Sequence, residues 1–449
     1  MLIINGKLIT WEEPNSVLEG YALAIKNGLI ADIGSQTEMQ CRYPELEVVD
    51  AGGQYVMPGN ICAHTHFYGA FARGMAIPGP APKDFPEILE KLWWPLDRSL
   101  RMEDVRASAD VMLVDAIKHG TTTLIDHHSS PNAIDGSLDV IAEAVERAGL
   151  RAVLCYEVTD RDGIEKANAG IQENVRFLER AKDGALAEGR VAATFGLHAS
   201  LTLSGETLDR CREAVQGDVG FHIHVAEHEA DEYDSLSKSG KHVVDRLSEH
   251  RILGPKTITA HAVHVDAREV ELLSDSGTWV THQPRSNMNN GVGVADVESI
   301  QRAGANVCLG TDGFSHTMWE EWKAAYLMHK LWHRDPRRMN GADIVRMGVY
   351  NNAALAGVFF PDTPPGALRL GASADLIFVD YHPHTPLSAG NLPWQIIFGF
   401  HESMVTTTIV NGAVLMRDRR LLTLDEEAIT AHARELAPGV WERYNQQFV

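Results

Sequence analysis

The chain has 449 residues, of which 44% are hydrophobic and 22% are charged, a composition typical of globular proteins that bury a sizeable core. Forty lysine and arginine residues against 61 aspartate and glutamate residues give a formal net charge of -21. This charge argues against nonspecific binding to nucleic acid and to anionic membrane surfaces.

Short apolar runs alternate with turn residues at the start of the chain, as in LII at residues 2–4 before the pair NG. This pattern predicts a small antiparallel β unit. Similar runs, ADLIFV and TTIVNG, appear near the C-terminus. We expect residues 1–55 and 366–449 to form one composite β-sandwich that also carries a C-terminal helix.

Between these ends, runs rich in valine and isoleucine alternate with longer amphipathic stretches, which is typical of βα units and a parallel sheet. Eight runs occur, around residues 56–63, 121–126, 151–157, 191–197, 219–225, 257–260, 278–281 and 305–310. Eight strands close a TIM barrel. The sequence therefore predicts an α/β protein with a (β/α)8 barrel over residues 56–365. A doubly wound open sheet is the alternative, although no GxGxxG follows the first run.

The segment from Phe67 to Arg98 is rich in proline and glycine and carries Trp93-Trp94. It is too long for a plain connection between a strand and a helix. We interpret it as a lid over the barrel mouth. Packing of the two tryptophans in the core is the alternative.

Histidine and carboxylate side chains follow most of the eight runs. His64 and His66 leave the first run on the same face, because residues i and i+2 of a strand point the same way. In a TIM barrel the carboxyl ends of the strands converge on one site. The later runs end at His127, His198, His224, His261, His282 and Asp312. This concentration of imidazole groups indicates a metal site.

The five cysteines are widely spaced and contain no CxxC pair. A chain of this size needs no disulfide framework, so we interpret them as reduced thiols. The N-terminal residues lack the charged and apolar regions of a signal peptide, and no long apolar stretch follows. These features predict a cytoplasmic protein.

Several motifs resemble those of the amidohydrolase superfamily, namely PGNICAHTH, GTTTLIDHH, HVAE, TAHAVH, HQPRSNMNNGVG and GTDG. Within it, the chain is similar to the branch of cytosine deaminase and the chlorohydrolase-like enzymes. LWWPLDRSL, IDHHSSP and SNMNN are most similar to the SsnA-type aminohydrolases. Together with the β-sandwich, these motifs span nearly the whole chain.

The resemblance implies one divalent metal ion, Zn²⁺ or Fe²⁺, held by His64, His66, His224 and Asp312. Such a metal lowers the pKa of a bound water to about 7. Binuclear members usually carry a carboxylated lysine at the end of strand four, where this chain has His198. A single metal is therefore expected.

The catalytic roles are also implied by the resemblance. His261 would hydrogen-bond the water, Asp312 would take its proton, and Glu227 would shuttle a proton to a ring nitrogen of the substrate. His222 would contact the metal ligands and hold them in position without binding the metal itself.

Three further histidines are predicted to contact the substrate, namely His198, His127 and His316. A structural role is the alternative for His198. For His127 the alternative is a pairing with Asp126.

The implied function is that of a hydrolase acting on carbon–nitrogen bonds other than peptide bonds. It would deaminate a nitrogen heterocycle, such as a purine, pterin, pyrimidine or triazine, with release of ammonia. One alternative keeps the chemistry but changes the leaving group, as in hydrolytic dechlorination or opening of a cyclic amide. Another is a noncatalytic barrel that a metal stabilises. The resemblance also implies a homodimer.

Overall fold

The structure is a computed structural model that describes residues 1–449. Its strands are β1 (Leu2–Ile4), β2 (Lys7–Ile9), β3 (Val17–Leu18), β4 (Tyr21–Lys26), β5 (Leu29–Ser35), β6 (Val48–Asp50), β7 (Tyr55–Pro58), β8 (Asn60–Thr65), β9 (Thr121–Asp126), β10 (Arg151–Leu154), β11 (Val191–Ala193), β12 (Phe195–Ala199), β13 (Phe221–Val225), β14 (Ile258–His261), β15 (Trp279–His282), β16 (Val307–Leu309), β17 (Leu376–Val379), β18 (Val405–Val410), β19 (Ala413–Arg417) and β20 (Arg420–Leu421).

Its α-helices are α1 (Gln36–Arg42), α2 (Phe85–Ile88), α3 (Trp94–Ser99), α4 (Met102–Lys118), α5 (Ser137–Ala148), α6 (Ile164–Ala181), α7 (Gly205–Ala214), α8 (Glu229–Ser239), α9 (Val243–Glu249), α10 (Ala267–Asp275), α11 (Pro284–Asn290), α12 (Val297–Arg302), α13 (Met318–His333), α14 (Gly341–Val345), α15 (Asn352–Phe359), α16 (Leu392–Gly399) and α17 (Glu426–Asn445). None of them combines the length and the apolar character needed to cross a membrane.

The barrel is formed by two parallel sheets, one of β8 to β11 and one of β12 to β16. The fourth barrel strand is interrupted at Thr194, so that β11 pairs with β10 and β12 pairs with β13. Parallel bridges close both seams, one between Thr65 and Asp312 and one between Val158 and Leu197. Most strand residues are buried on both faces, as expected for a sheet covered by helices. This arrangement matches the predicted (β/α)8 barrel.

The first predicted run is two strands rather than one. β7 pairs with β17 outside the barrel, and β8 starts the barrel beside β9. The chain passes from one sheet to the other at Gly59, where a Cβ atom would lie 2.2 Å from the Thr122 side chain. Only glycine fits this close approach to β9.

Both ends of the chain meet in two further sheets. One has seven strands in the order β20-β19-β18-β17-β7-β2-β3, and the other has four in the order β5-β4-β1-β6. Leu8, Leu23, Val56 and Phe378 share one buried apolar cluster between them. The Arg151 guanidinium, at the start of β10, donates to the Asp375 carboxylate at 3.0 Å and so fixes the barrel to this unit.

Candidate active site

A cavity of about 810 Å³, including its open mouth, lies at the carboxyl ends of the barrel strands. Its wall combines aromatic side chains with imidazole and carboxyl groups, and no lysine or arginine lines it. The titratable groups in the wall are His66, Tyr68, Asp97, Glu157, His198, His224, Glu227, His228, Asp231 and Asp312.

His66 and His224 point one ring nitrogen into the barrel centre. Nδ1 of His66 lies 2.6 Å from the carbonyl oxygen of His127, and Nδ1 of His224 lies 2.9 Å from that of His198. Because a carbonyl oxygen only accepts, each Nδ1 carries a proton. The Nε2 atoms therefore face inward, 3.3 Å apart. Backbone carbonyls thus orient both imidazoles as ligand-supporting groups do in metal sites.

His64 and Asp312 complete the same cluster. Nδ1 of His64 lies 2.9 Å from Nε2 of His222, and its own Nε2 is buried without a hydrogen-bond partner. Oδ1 of Asp312 lies 3.1 Å from Nε2 of His66 and 3.9 Å from Nε2 of His64. The structure therefore brings together all four predicted metal ligands, with His222 directly behind His64.

The electrostatics of this cluster fit a bound cation. Burial lowers the pKa of His64 and of His224 well below its usual value, so both imidazoles are neutral. Burial opposes protonation of His66 as well, but the hydrogen bond to Asp312 raises its pKa to about 9. The centre thus attracts one positive charge. Three imidazoles and one carboxylate form a donor set for Zn²⁺ or Fe²⁺, so the residues fit the implied metal.

His261 lies beside this cluster, at the end of β14. Its Nδ1 donates to the side-chain oxygen of Asn287 at 2.8 Å, which turns Nε2 toward the cluster. Nε2 is buried without a hydrogen-bond partner, 3.4 Å from Oε2 of Glu227 and 3.6 Å from Oδ2 of Asp312. His261 and Asp312 have positive φ angles of 75° and 55°. Backbone conformations of this kind are costly for residues with a Cβ and concentrate at functional sites.

Glu227 follows β13 and points into the cavity. Its Oε1 accepts a hydrogen bond from Nδ2 of Asn290 at 3.3 Å. Burial raises the pKa of Glu227 well above its usual value, and the charge of Asp312 acts in the same direction. Burial therefore favours the protonated form of Glu227. Oδ2 of Asp312 accepts a short hydrogen bond of 2.6 Å from the Ser286 hydroxyl.

Of the three histidines predicted to contact substrate, His198 lines the cavity. Its Nδ1 bonds to the Thr202 hydroxyl at 2.7 Å, and its Nε2 is directed toward Glu157 at 3.8 Å. Nδ1 of His198 thus holds the ring in place through Thr202, and Nε2 faces Glu157 in the cavity wall.

His127 and His316, which the sequence predicts to contact substrate, are fully buried and are not part of the cavity lining. Nε2 of His127 donates to the carbonyl oxygen of His222 at 3.1 Å. Nε2 of His316 bonds to the Thr65 hydroxyl at 3.0 Å, and its Nδ1 lies 3.2 Å from the Asp115 carboxylate. Both ring nitrogens of His316 thus meet groups outside the cavity wall, whereas Nδ1 of His127 lies 3.3 Å from Oε1 of Glu157.

Glu157 lines the cavity but was not among the predicted site residues. It was interpreted as the last residue of the third run, whereas β10 ends at Leu154 and leaves Glu157 in the loop at the carboxyl end of the barrel. Burial raises the pKa of Glu157 to about 8. The sequence did contain a signal for Glu157. It is a carboxylate at the end of a predicted strand, which is the position that the site histidines occupy on the other predicted strands.

The predicted lid covers the cavity. Trp93, Trp94 and Asp97 line it from above. Asp97 is buried and accepts hydrogen bonds from the Ser129 hydroxyl at 2.9 Å and from the Arg161 guanidinium. The same guanidinium lies 5.5 Å from the centre of a Trp94 ring. A buried ion pair therefore fixes the lid to the loops after β9 and β10.

The chain belongs to the amidohydrolase family, whose model matches residues 55–415. It is 34% identical to the 5'-deoxyadenosine deaminase of Methanosarcina mazei, over 99% of both chains. It is 35% identical to the 5-methylthioadenosine/S-adenosylhomocysteine deaminase of Haloarcula marismortui, over 88% of this chain and 89% of the relative. The predicted hydrolase of carbon–nitrogen bonds, acting by hydrolytic deamination of a heterocycle, is confirmed by these relationships.

The fold is also that of a solved adenosine deaminase from Xanthomonas campestris, whose crystal structure holds zinc. The two structures superpose with a TM-score of 0.84 over 98% of each chain, at 23% sequence identity. The predicted TIM-barrel architecture is thereby confirmed.

Proposed function

We propose that this amidohydrolase is a mononuclear metal-dependent deaminase of an uncharged adenine nucleoside, such as 5'-deoxyadenosine, which it hydrolyses with release of ammonia. The observation that carries this proposal is the convergence of the four predicted ligands with Glu227 and His261 beside one cavity, which His66, His224, Glu227 and Asp312 line. The names of the relatives in Methanosarcina mazei and Haloarcula marismortui support the substrate class.

His64, His66, His224 and Asp312 are the residues that would hold the metal, with Zn²⁺ first and Fe²⁺ as the alternative. A divalent ion at this position supplies Lewis acidity and makes water nucleophilic at neutral pH. No carboxylated lysine is present at the end of the fourth barrel strand, where His198 stands. This supports one ion per chain.

The side chains around the ligands handle the protons. Oδ2 of Asp312, oriented by the Ser286 hydroxyl, accepts a proton from the attacking water. His261 orients that water through Nε2, which has no protein partner. Glu227 is held in its acid form by burial and donates a proton to the ring nitrogen beside the reacting carbon. The water oxygen would bond to the amino-bearing carbon, and Asp312 would pass the water proton on to the amino group. The C–N bond would then break to release ammonia, while the proton of the new hydroxyl group would return to Glu227 and leave a carbonyl group.

The rest of the cavity suits a planar and uncharged molecule. Phe85, Trp93, Trp94 and Phe314 supply aromatic surface for a purine ring. Five carboxyl groups and no lysine or arginine line the cavity. A phosphate or carboxylate on the substrate would therefore find carboxyl groups and no lysine or arginine in the wall, which favours neutral 5'-deoxy or 5'-hydroxy nucleosides over nucleotides.

We also propose a cytoplasmic homodimer. The free cysteines, four of them buried, suit a reducing compartment. Helices α13 and α16 leave large apolar side chains exposed, among them Leu327, Leu331 and Phe398. Such a surface is typical of a subunit interface. Light scattering on the purified chain would show a monomer if the homodimer is wrong.

An ammonia-release assay tests the proposed function. The chain, loaded with Zn²⁺ or Fe²⁺, would be given 5'-deoxyadenosine, adenosine, guanine, a pterin and a chlorotriazine. We expect ammonia from the adenine nucleosides and the highest kcat/KM for them. Chloride release from the triazine without ammonia from any nucleoside would instead favour the alternative leaving group.

A further inference from the structure

Glu157 differs from the other carboxyl groups of the cavity in its lack of hydrogen-bond donors. Asp97 is held by Arg161 and Ser129, Asp231 by two backbone N–H groups, Glu227 by Asn290 and Asp312 by Ser286. No protein donor is directed at the carboxyl oxygens of Glu157, although only 2% of the residue is exposed. A buried carboxyl group without a donor is costly, so it calls for a partner from outside the protein.

One oxygen of Glu157, Oε1, lies beside the His127 ring. This Nε2 donates to the carbonyl oxygen of His222, so Nδ1 of a neutral His127 ring presents a lone pair. That lone pair faces Oε1 of Glu157 at 3.3 Å. Both atoms lack a hydrogen-bond partner, so the imidazole closes off this oxygen without satisfying it. Oε2 is the oxygen that remains to accept a hydrogen bond from a bound molecule.

Oε2 belongs to the cavity side of the carboxyl group. It lies 3.8 Å from Nε2 of His198, and both residues line the cavity. His66, itself a proposed metal ligand, separates Glu157 from Asp312, with Nδ1 at 3.4 Å from Oε1 of Glu157 and Nε2 at 3.1 Å from Oδ1 of Asp312. Glu157 therefore lies on the far side of the His66 ring from Asp312.

We propose that Glu157 is a specificity-determining residue whose Oε2 accepts a hydrogen bond from a hydroxyl group on the sugar of the substrate. This inference rests on the proposed adenine nucleoside. The amino group of adenine is the leaving group at the metal centre, and the remaining nitrogens of the ring are acceptors. The sugar hydroxyls are thus the donors that an acceptor away from the metal can select.

Two variants and two substrates test this assignment. Glu157→Leu removes the acceptor at similar size. Glu157→Gln keeps a carbonyl oxygen toward the cavity while its amide can donate to Nδ1 of His127. The kcat/KM of each would be measured on adenosine and on 2',3'-dideoxyadenosine, with metal content determined in parallel.

We expect Glu157→Leu to lower kcat/KM for adenosine by about 10- to 100-fold, the effect of losing one hydrogen bond to a buried partner. The loss of kcat/KM on 2',3'-dideoxyadenosine should be at least about tenfold smaller, since that substrate has no 2'- or 3'-hydroxyl group to donate to Glu157. Glu157→Gln should recover most of the loss on adenosine.

Equal losses of kcat/KM on both substrates, or loss of metal in the leucine variant, would overturn the assignment. The role of Glu157 would then be to hold the His66 side chain in position. A glutamine variant as poor as the leucine variant would also overturn it. If the wild-type chain releases no ammonia from either nucleoside, the proposed function itself fails, and this result is seen before any variant is compared.

Discussion

The two sides of the cavity are specified in different ways. On the metal side, His64 and His224 lie within barrel strands and Asp312 follows the last strand. A backbone carbonyl holds the His224 imidazole, and the His222 side chain holds that of His64. On the lid side, Asp97 and Arg161 come from segments 64 residues apart and meet only in the folded chain. The barrel thus fixes the chemistry, whereas contacts between loops fix what the cavity accepts. Changes on the two sides should therefore differ in kind.

The largest effect is expected for Asp312→Asn, which changes the metal side at its centre. The amide binds metal more weakly and cannot accept a proton from water. The substitution removes the general base and also weakens the set of metal ligands. We therefore expect kcat to fall by about 10⁴-fold or more. Steady-state ammonia release and metal analysis of the same preparation would measure both effects.

Ser286→Ala provides the matched control, because it removes the hydroxyl that donates to Oδ2 of Asp312 and leaves the carboxylate itself in place. It should retain about one metal equivalent per chain and lose about tenfold in kcat, as for one hydrogen bond. Near-normal turnover by Asp312→Asn would contradict the assigned roles, and two tightly bound ions in the wild type would contradict the mononuclear centre.

The next largest effect is expected for Glu227→Gln, which keeps the metal side intact but removes its proton donor. We expect kcat to fall by about 10³-fold at unchanged metal content. The pKa of Glu227 is raised by burial, so the acid form is present below that pKa and is lost as the pH rises through it. The wild-type rate should therefore fall on the alkaline side through loss of this proton.

The pH profile of Glu227→Gln should lack that alkaline decrease, because glutamine does not titrate. If the variant keeps the same decrease, another group holds the essential proton. If it loses its metal to the extent that His224→Ala does, Glu227 is a ligand rather than a proton donor.

On the lid side, the carboxyl-rich wall should exclude charge. Adenosine 5'-monophosphate should have a kcat/KM about 100-fold below that of adenosine, because its phosphate would lose water and find no lysine or arginine in the wall. The uncharged pair of adenosine and 5'-deoxyadenosine is the control and should differ much less. Equal efficiency with the nucleotide would show that a cation outside the described cavity wall reaches the phosphate.

The same contrast explains what could be predicted from the sequence. His64 and His66 were identified because the period of a strand places residues i and i+2 on one face. The direction of a side chain after a strand has ended follows no such period, so His127 was expected at the cavity wall but donates to the carbonyl oxygen of His222. Glu157 was overlooked because β10 ends at Leu154, before the apolar run does.

The lid contacts could not be predicted from one chain, since the pairing of Asp97 with Arg161 depends on tertiary packing and leaves no local pattern. The presence of a lid could be inferred from the length and composition of its segment. In contrast, the β-sandwich was predictable from turn residues at both ends, apart from the position of Gly59 as the point where the chain changes sheets.

The smallest effect is expected for His198→Ala, which lies where the two sides meet. His224, a proposed metal ligand, is held by the backbone carbonyl of His198 and not by the His198 imidazole, so the substitution leaves that hydrogen bond in place. Metal content should stay at that of the wild type. KM for the nucleoside should rise by about tenfold, as for one lost contact to substrate, with a smaller change in kcat. Loss of metal would show that the imidazole supports the centre, and wild-type kinetics on every substrate would show that its bond to Thr202 is its only role.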